Sequence, residues 1–218
     1  LNTSIQIVFS HSYRHKDSDA IKFLRKESTN KNRGVIKMYF PSAGPQNTQK
    51  TIELAVKTAI EKGINHIVVA SCSGNTAKLL KNCGKNVVVV THVNGFSEPG
   101  KMEISQEAIE ELKSMGFKVY TGTHVLSGAE RGISRKFGGV YPVEIMAHTL
   151  RMLGQGVKVA VEISVMALDA GLIPYGEDII AIGGTSEGAD TAVIIRPSHA
   201  ASIFETKIKE IICKPYEF

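Results

Sequence analysis

Three stretches of the 218-residue chain concentrate residue types that can do chemistry. Ser71-Cys72-Ser73-Gly74-Asn75-Thr76 is a small polar loop between an apolar run and a helical pattern. Free backbone N–H groups and the positive dipole end at such a helix start favour a phosphate, whereas a plain helix cap by Ser73 is the competing explanation. No Walker lysine accompanies the loop. Gly183-Gly184-Thr185-Ser186-Glu187-Gly188-Ala189-Asp190-Thr191 sets three glycines beside hydroxyls, so a backbone could approach a ligand closely there, although glycine turns also join strands without one. Asp190 has two readings of equal weight: it accepts hydrogen bonds from its own turn, or it meets ligand hydroxyls. The third stretch, residues 127–139, is the densest in polar groups. Its Ser127-x-x-Glu130 reads as a capping box, and Arg131 and Arg135 at i and i+4 form a solvated or intersubunit stripe in preference to a clamp on an acidic group.

His92 and His124 follow expected strands ending near Thr91 and Thr123, where an imidazole can donate or accept a proton. Neither belongs to an HxH or HExxH spacing, and no Cys/His/Asp cluster has recognisable ligand spacing, so no metal is expected. Cys72, Cys83 and Cys213 form no CxxC and leave an odd thiol, which fits a reducing compartment, with the cytoplasm as the expected location. Glu162 falls inside an apolar run read as a strand, and Asp169 just after it. A carboxylate so placed requires a hydrogen-bonding partner or a raised pKa.

The elements that position these residues follow from hydrophobic period. Short β-rich runs at 35–40, 66–70, 86–91, 117–122, 157–163 and 178–182 alternate with helical patterns, the mark of βαβ units and a mainly parallel sheet. Ile52, Val56, Ala59 and Ile60 make one helical stripe. Ser105 caps a second helix, with Ala108, Ile109, Leu112 and Met115 on one face, and Pro142 opens a third. The runs at 179–182 and 192–195 are too close for a parallel crossover, so the last strand should return antiparallel. The expected fold over 34–218 is an α/β domain with a mixed, mostly parallel sheet. In such sheets ligands collect beyond the carboxyl ends of the strands, which brings the first two loops to one edge.

Charge and composition exclude other classes. Residues 1–33 hold seven of the 26 Lys/Arg and three of the 21 Asp/Glu, so +4 of the net +5 belongs to a basic, weakly ordered extension and the body is nearly neutral. With only 6% aromatic residues, no basic-aromatic platform for nucleic acid stands out. No apolar run reaches the roughly 20 residues that span a bilayer, so neither a membrane nor a nucleic-acid partner is expected. The chain opens on Leu1, consistent with a fragment or an upstream over-read, with a regulatory arm as the alternative. A homo-oligomer is compatible with these features.

His66-Ile-Val-Val-Ala-Ser-Cys-Ser-Gly-Asn-Thr-Ala77, followed by Asn86-Val-Val-Val-Val-Thr91, resembles the C-terminal α/β domain of pyruvate kinase, where such a turn and strand build an effector-phosphate site. Asp178-Ile-Ile-Ala-Ile-Gly-Gly184 leading to Ala192-Val-Ile-Ile-Arg196 resembles that domain's closing strands. The catalytic barrel has no counterpart. Over 34–218 the chain is also similar to a stand-alone prokaryotic family of pyruvate kinase C-terminal-domain-like proteins, through its segments 126–139, 161–171 and 183–197. That resemblance implies a three-layer α/β/α fold and association with flavin mononucleotide (FMN), and no reaction. The leading expectation is an FMN-binding protein with the phosphate on Ser73, Gly74, Asn75 and Thr76 beside Ser71. The isoalloxazine or ribityl group would lie near Thr91, His92 and the loop carrying Gly183, Gly184, Thr185, Gly188, Asp190 and Thr191. The expected function is binding of a phosphate-bearing small molecule, with a non-catalytic sensor of a phosphorylated metabolite as the alternative. Phosphoryl transfer is disfavoured, since there is neither a Walker lysine nor a clear acidic metal site.

Overall fold

A computed structural model describes residues 38–218; the expected extension at 1–33 and the start of the first expected strand lie outside the described residues. The first half alternates strand and helix: β1 (Met38–Ser42), α1 (Thr48–Glu61), β2 (His66–Ala70), α2 (Asn75–Lys78), β3 (Asn86–Thr91), α3 (Gln106–Ser114) and β4 (Lys118–Thr121). Three helices follow in succession: α4 (Gly128–Phe137), α5 (Pro142–Arg151) and α6 (Gln155–Asp169). Then come β5 (Ile179–Gly183), β6 (Thr191–Arg196) and β7 (Lys207–Glu217).

The seven strands form one sheet in the order β1-β7-β6-β5-β2-β3-β4. Pairing is parallel everywhere except on the two sides of β6, which alone runs against the rest. Side chains alternate strictly across the sheet. Ile67, Val69, Val87, Val89, Ile180 and Ile182 pack under α1, α2 and α3, while Val68, Val88, Val90, Ile179 and Ala181 pack under α5 and α6. Both faces are therefore covered, which is why β2, β3 and β5 read as unbroken apolar runs. Each fully buried valine or isoleucine contributes about 1.5–3 kcal/mol of transfer free energy.

Local chemistry sets several boundaries as expected. Ser105 Oγ accepts from Ala108 N at 3.2 Å to start α3, and Pro142 stands in the first turn of α5. The expected capping box in α4 is not formed. Glu130 Oε1 accepts instead from Glu144 N at 3.0 Å, so it caps the next helix, α5.

Two expectations are corrected. The run 157–163 belongs to helix α6, not to a strand, and Glu162 therefore sits on a helix. Twelve of its fifteen residues are buried, and a helix apolar on every side shows no amphipathic period that could separate it from a buried strand. The antiparallel strand is not the last: β7 follows β6 and inserts between it and β1. Lys207 and Lys209 on β7 are exposed, while Pro215 is buried near its carboxyl end, past Cys213, the last residue paired with β6. Among the described residues no helix is long and apolar enough to cross a membrane, and all three cysteines are free.

Candidate functional site

Beyond the carboxyl ends of β2, β3 and β5 lies a crevice of about 960 Å³. It opens where the helix after β2 and the helix before β5 cover opposite faces of the sheet, the place at which open α/β sheets take ligands. Of the expected residues, Ser71, Ser73, Asn75, Thr76, His92, Gly184 and Gly188 line it. Sequence reasoning missed Pro45 and Thr48 from the start of α1, Leu79, Phe96, and Gln155 and Val159 at the start of α6. Reading 157–163 as a strand concealed that a helix begins at Gln155.

The remaining expected residues support the walls. Gly183 is a glycine because α6 packs directly on β5: a Cβ there would strike Gly156 O and lie 3.2 Å from Ala160 N. Gly74 takes a left-handed φ of 87° at the start of α2, and a Cβ would come within 3.3 Å of Leu112. Thr91 is buried between strands, its Oγ1 2.5 Å from Thr121 Oγ1. Asp190 and Thr191 are fully buried: Asp190 Oδ1 accepts from the Thr191 hydroxyl at 2.8 Å, and its Oδ2 accepts from Gly44 N at 3.2 Å. The Asp190 carboxylate thus ties the 184–190 loop to the segment after β1. Thr48 holds the same loop from α1, its Oγ1 accepting from Ala189 N at 2.9 Å.

Two hydroxyls stand out. Among the described residues, Ser71 Oγ and Thr185 Oγ1 are buried and have no hydrogen-bond partner, one on each loop flanking the crevice. Ser71 is only 5% exposed, and its backbone N donates to Val90 O at 3.0 Å, which fixes the main chain that carries the hydroxyl. The competing cap by Ser73 is not made, and α2 has a single turn, so the phosphate argument from a helix dipole loses its force there too. The crevice offers hydroxyls and amides as donors, while among the described residues its only charged lining side chain is Glu187.

At the mouth, His92 Nδ1 lies 2.5 Å from Glu103 Oε2 and the ring stacks on Phe96 with centroids 3.9 Å apart. The Ser97 hydroxyl first, and then His92, hold the Glu103 carboxyl below the usual carboxylate range. Burial, aided by Glu103, pushes the Cys72 thiol up to about 11, so it stays protonated. Ligand atoms of Cys72, His92 and Glu103 lie within 4.8 Å of one another, a sulfur–nitrogen–oxygen set of the kind that zinc accepts. Spacing could not reveal it, because its members come from three separate loops.

Burial lowers the pKa of His124, with Glu162 opposing, and Val93 N donates to its Nε2 at 3.4 Å, which requires that nitrogen to be unprotonated. Below about pH 6.5 the unfolded chain binds a proton that the folded state resists, so stability falls as pH drops. His66, lowered likewise by burial, adds in the same direction. Urea unfolding from pH 8 to 5 should show this loss, and His124→Gln should flatten part of it. An unchanged pH profile in the variant would remove His124 as a source.

A family model described as "Pyruvate kinase, alpha/beta domain" matches residues 49–195. Among solved structures, a pyruvate kinase from Cryptosporidium parvum is similar at 17% identity over 83% of this chain and 26% of that one, with a TM-score of 0.38. The Cryptosporidium parvum pyruvate kinase in complex with ADP is similar at 17% identity over 82% of this chain and 26% of that one, with a TM-score of 0.36. The chain thus spans about a quarter of the length of these pyruvate kinases. With about two thirds of its residues under the family match, and with a mostly parallel seven-stranded sheet covered on both faces, the chain belongs to the pyruvate kinase alpha/beta domain family.

Proposed function

We propose that the chain binds a phosphate-bearing small molecule in the crevice, with FMN as the first candidate. The observation that carries this reading is Ser71 Oγ, buried in the crevice wall with no partner among the described residues. A buried hydroxyl left unpaired costs about 1–3 kcal/mol, a cost that a ligand acceptor or donor removes. The volume lies within the roughly 300–1,000 Å³ typical of ligand sites. Leu79 and Phe96 are about half exposed on the walls and would be covered by a bound ring. The groups present suit a flavin in this way: Leu79, Phe96 and Val159 would face the planar ring, and Ser71, Ser73 and Ser186 would meet the ribityl hydroxyls. When bound, the flavin supplies the redox chemistry, while the protein binds, orients and shields it.

The test is flavin absorbance of protein purified under mild conditions, with fluorescence titration of FMN against riboflavin. Ser71→Ala should weaken FMN binding roughly fivefold while making the ligand-free protein about 1 kcal/mol more stable, because it deletes an unpaired polar group. Colourless protein that quenches no flavin fluorescence would overturn the assignment to flavin. Family membership favours a second reading, a non-catalytic module sensing a phosphorylated metabolite. In that case sugar phosphates, and not flavins, raise the melting temperature. If neither class does so, the crevice is not a ligand site.

A further inference from the structure

The arginine-rich segment after β4 contributes nothing to the crevice, and its helix α4 buries no residue at all. Its basic face instead meets that of α5 around a separate cleft of about 310 Å³. Arg131 and Arg135, one turn apart on α4, line one side, and His148 and Arg151, three apart on α5, line the other. Among the described residues neither Arg131 nor Arg135 is paired with a carboxylate, and Arg151 Nε donates only to the neutral Gln155 Oε1, at 2.7 Å. Glu144 is the acid in the lining, and the Ser134 hydroxyl donates to its Oε1 at 2.6 Å. Glu130 is turned away to the start of α5.

Three guanidiniums against one carboxylate give the lining +2 before His148 is counted. That charge is felt below it: after burial and the opposing pull of Glu162, Arg151 and Arg131 both act to lower the pKa of Lys158. Converging like charges without an internal counter-ion are unfavourable, and an anion of matching charge relieves them. A phosphate group carries about −1.5 to −2 at neutral pH, and its oxygens match the two-pronged geometry of guanidinium.

We propose that the cleft between α4 and α5 is a binding subsite for a phosphate dianion. The subsite stands independently of the crevice. The two are nonetheless neighbours, because Gln155, which accepts from Arg151, lines the crevice. The phosphate therefore has two sources, a crevice ligand reaching past Gln155 or a separate phosphorylated molecule.

Calorimetric titration of the full chain with inorganic phosphate at low ionic strength should give saturable binding that weakens as salt is added. The double variant Arg131→Ala/Arg135→Ala should lose about tenfold or more in affinity at unchanged melting temperature, since both side chains are exposed. Arg135→Lys should fall between, because it keeps charge and loses the fork. Ser71→Ala should leave phosphate binding as it is, which separates this subsite from the crevice reading. Competition of inorganic phosphate with FMN but not riboflavin assigns the subsite to a crevice ligand; phosphate that competes with neither assigns it to a separate one. Absence of saturable phosphate binding in the wild type, or equal affinity in a folded double variant, overturns the proposal.

Discussion

Lys158→Ala is expected to cost about 3–5 kcal/mol in unfolding free energy, because it strands a carboxylate in the interior. Lys158 Nζ lies 2.5 Å from Glu162 Oε2 on α6, with both side chains only 6% exposed. The other oxygen, Glu162 Oε1, accepts from Leu126 N at 3.0 Å and so fixes the segment that leads into α4. Burial pushes the Lys158 ammonium toward its neutral form, and Glu162 opposes that shift. Removing the lysine leaves Glu162 with one backbone donor and no counter-charge. Lys158→Met combined with Glu162→Gln should recover most of the loss, since no charge is then buried and the amide oxygen can still accept from Leu126 N. Urea denaturation of both variants measures this. Equal destabilisation by the single and double changes would show that packing, and not the stranded charge, dominates.

Asp190→Asn should destabilise the protein by about 2–3 kcal/mol without weakening any crevice ligand. Each carboxylate oxygen accepts from a donor, the Thr191 hydroxyl on one side and Gly44 N on the other. An amide presents one acceptor and one donor, so one of these partners must face an N–H. The carboxylate also lies near the first turn of α6, with Oδ1 3.0 Å from where a Cβ on Gly156 would stand, and its charge complements that helix end. Of the two roles open to Asp190 from sequence, hydrogen bonds from its own turn's backbone or contact with ligand hydroxyls, the first is replaced by a structural tie to the distant Gly44 N. Weaker ligand binding at unchanged stability would restore the other.

Much of the architecture was legible because it is encoded over short distances. Short unbroken β-branched runs bounded by turn residues mark β2, β3 and β5, while Ser105 and Pro142 mark helix starts. A loop at the carboxyl end of a parallel strand can be assigned to the ligand edge without coordinates, so Ser71, Ser73, His92 and Gly184 were within reach. The family resemblance rests on the same local segments.

What the tertiary structure decided depends on residues far apart in the chain. An all-round buried helix and a buried strand share one pattern, so α6 could not be recognised, and with it went Gln155 and Val159 of the crevice. Lys158 and Glu162 fall on one face of either element, but only the helical rise brings them within a hydrogen bond. No spacing rule joins Asp190 to Gly44, or Cys72 to Glu103. The arginines of α4 read as a solvated stripe until α5 turns His148 and Arg151 toward them. Sequence determined the elements and the edge of the sheet where ligands gather, because hydrophobic period and capping act within a few residues. Which side chains converge there, and which hydroxyls are left unpaired, was decided by packing, because those contacts join residues up to 146 positions apart.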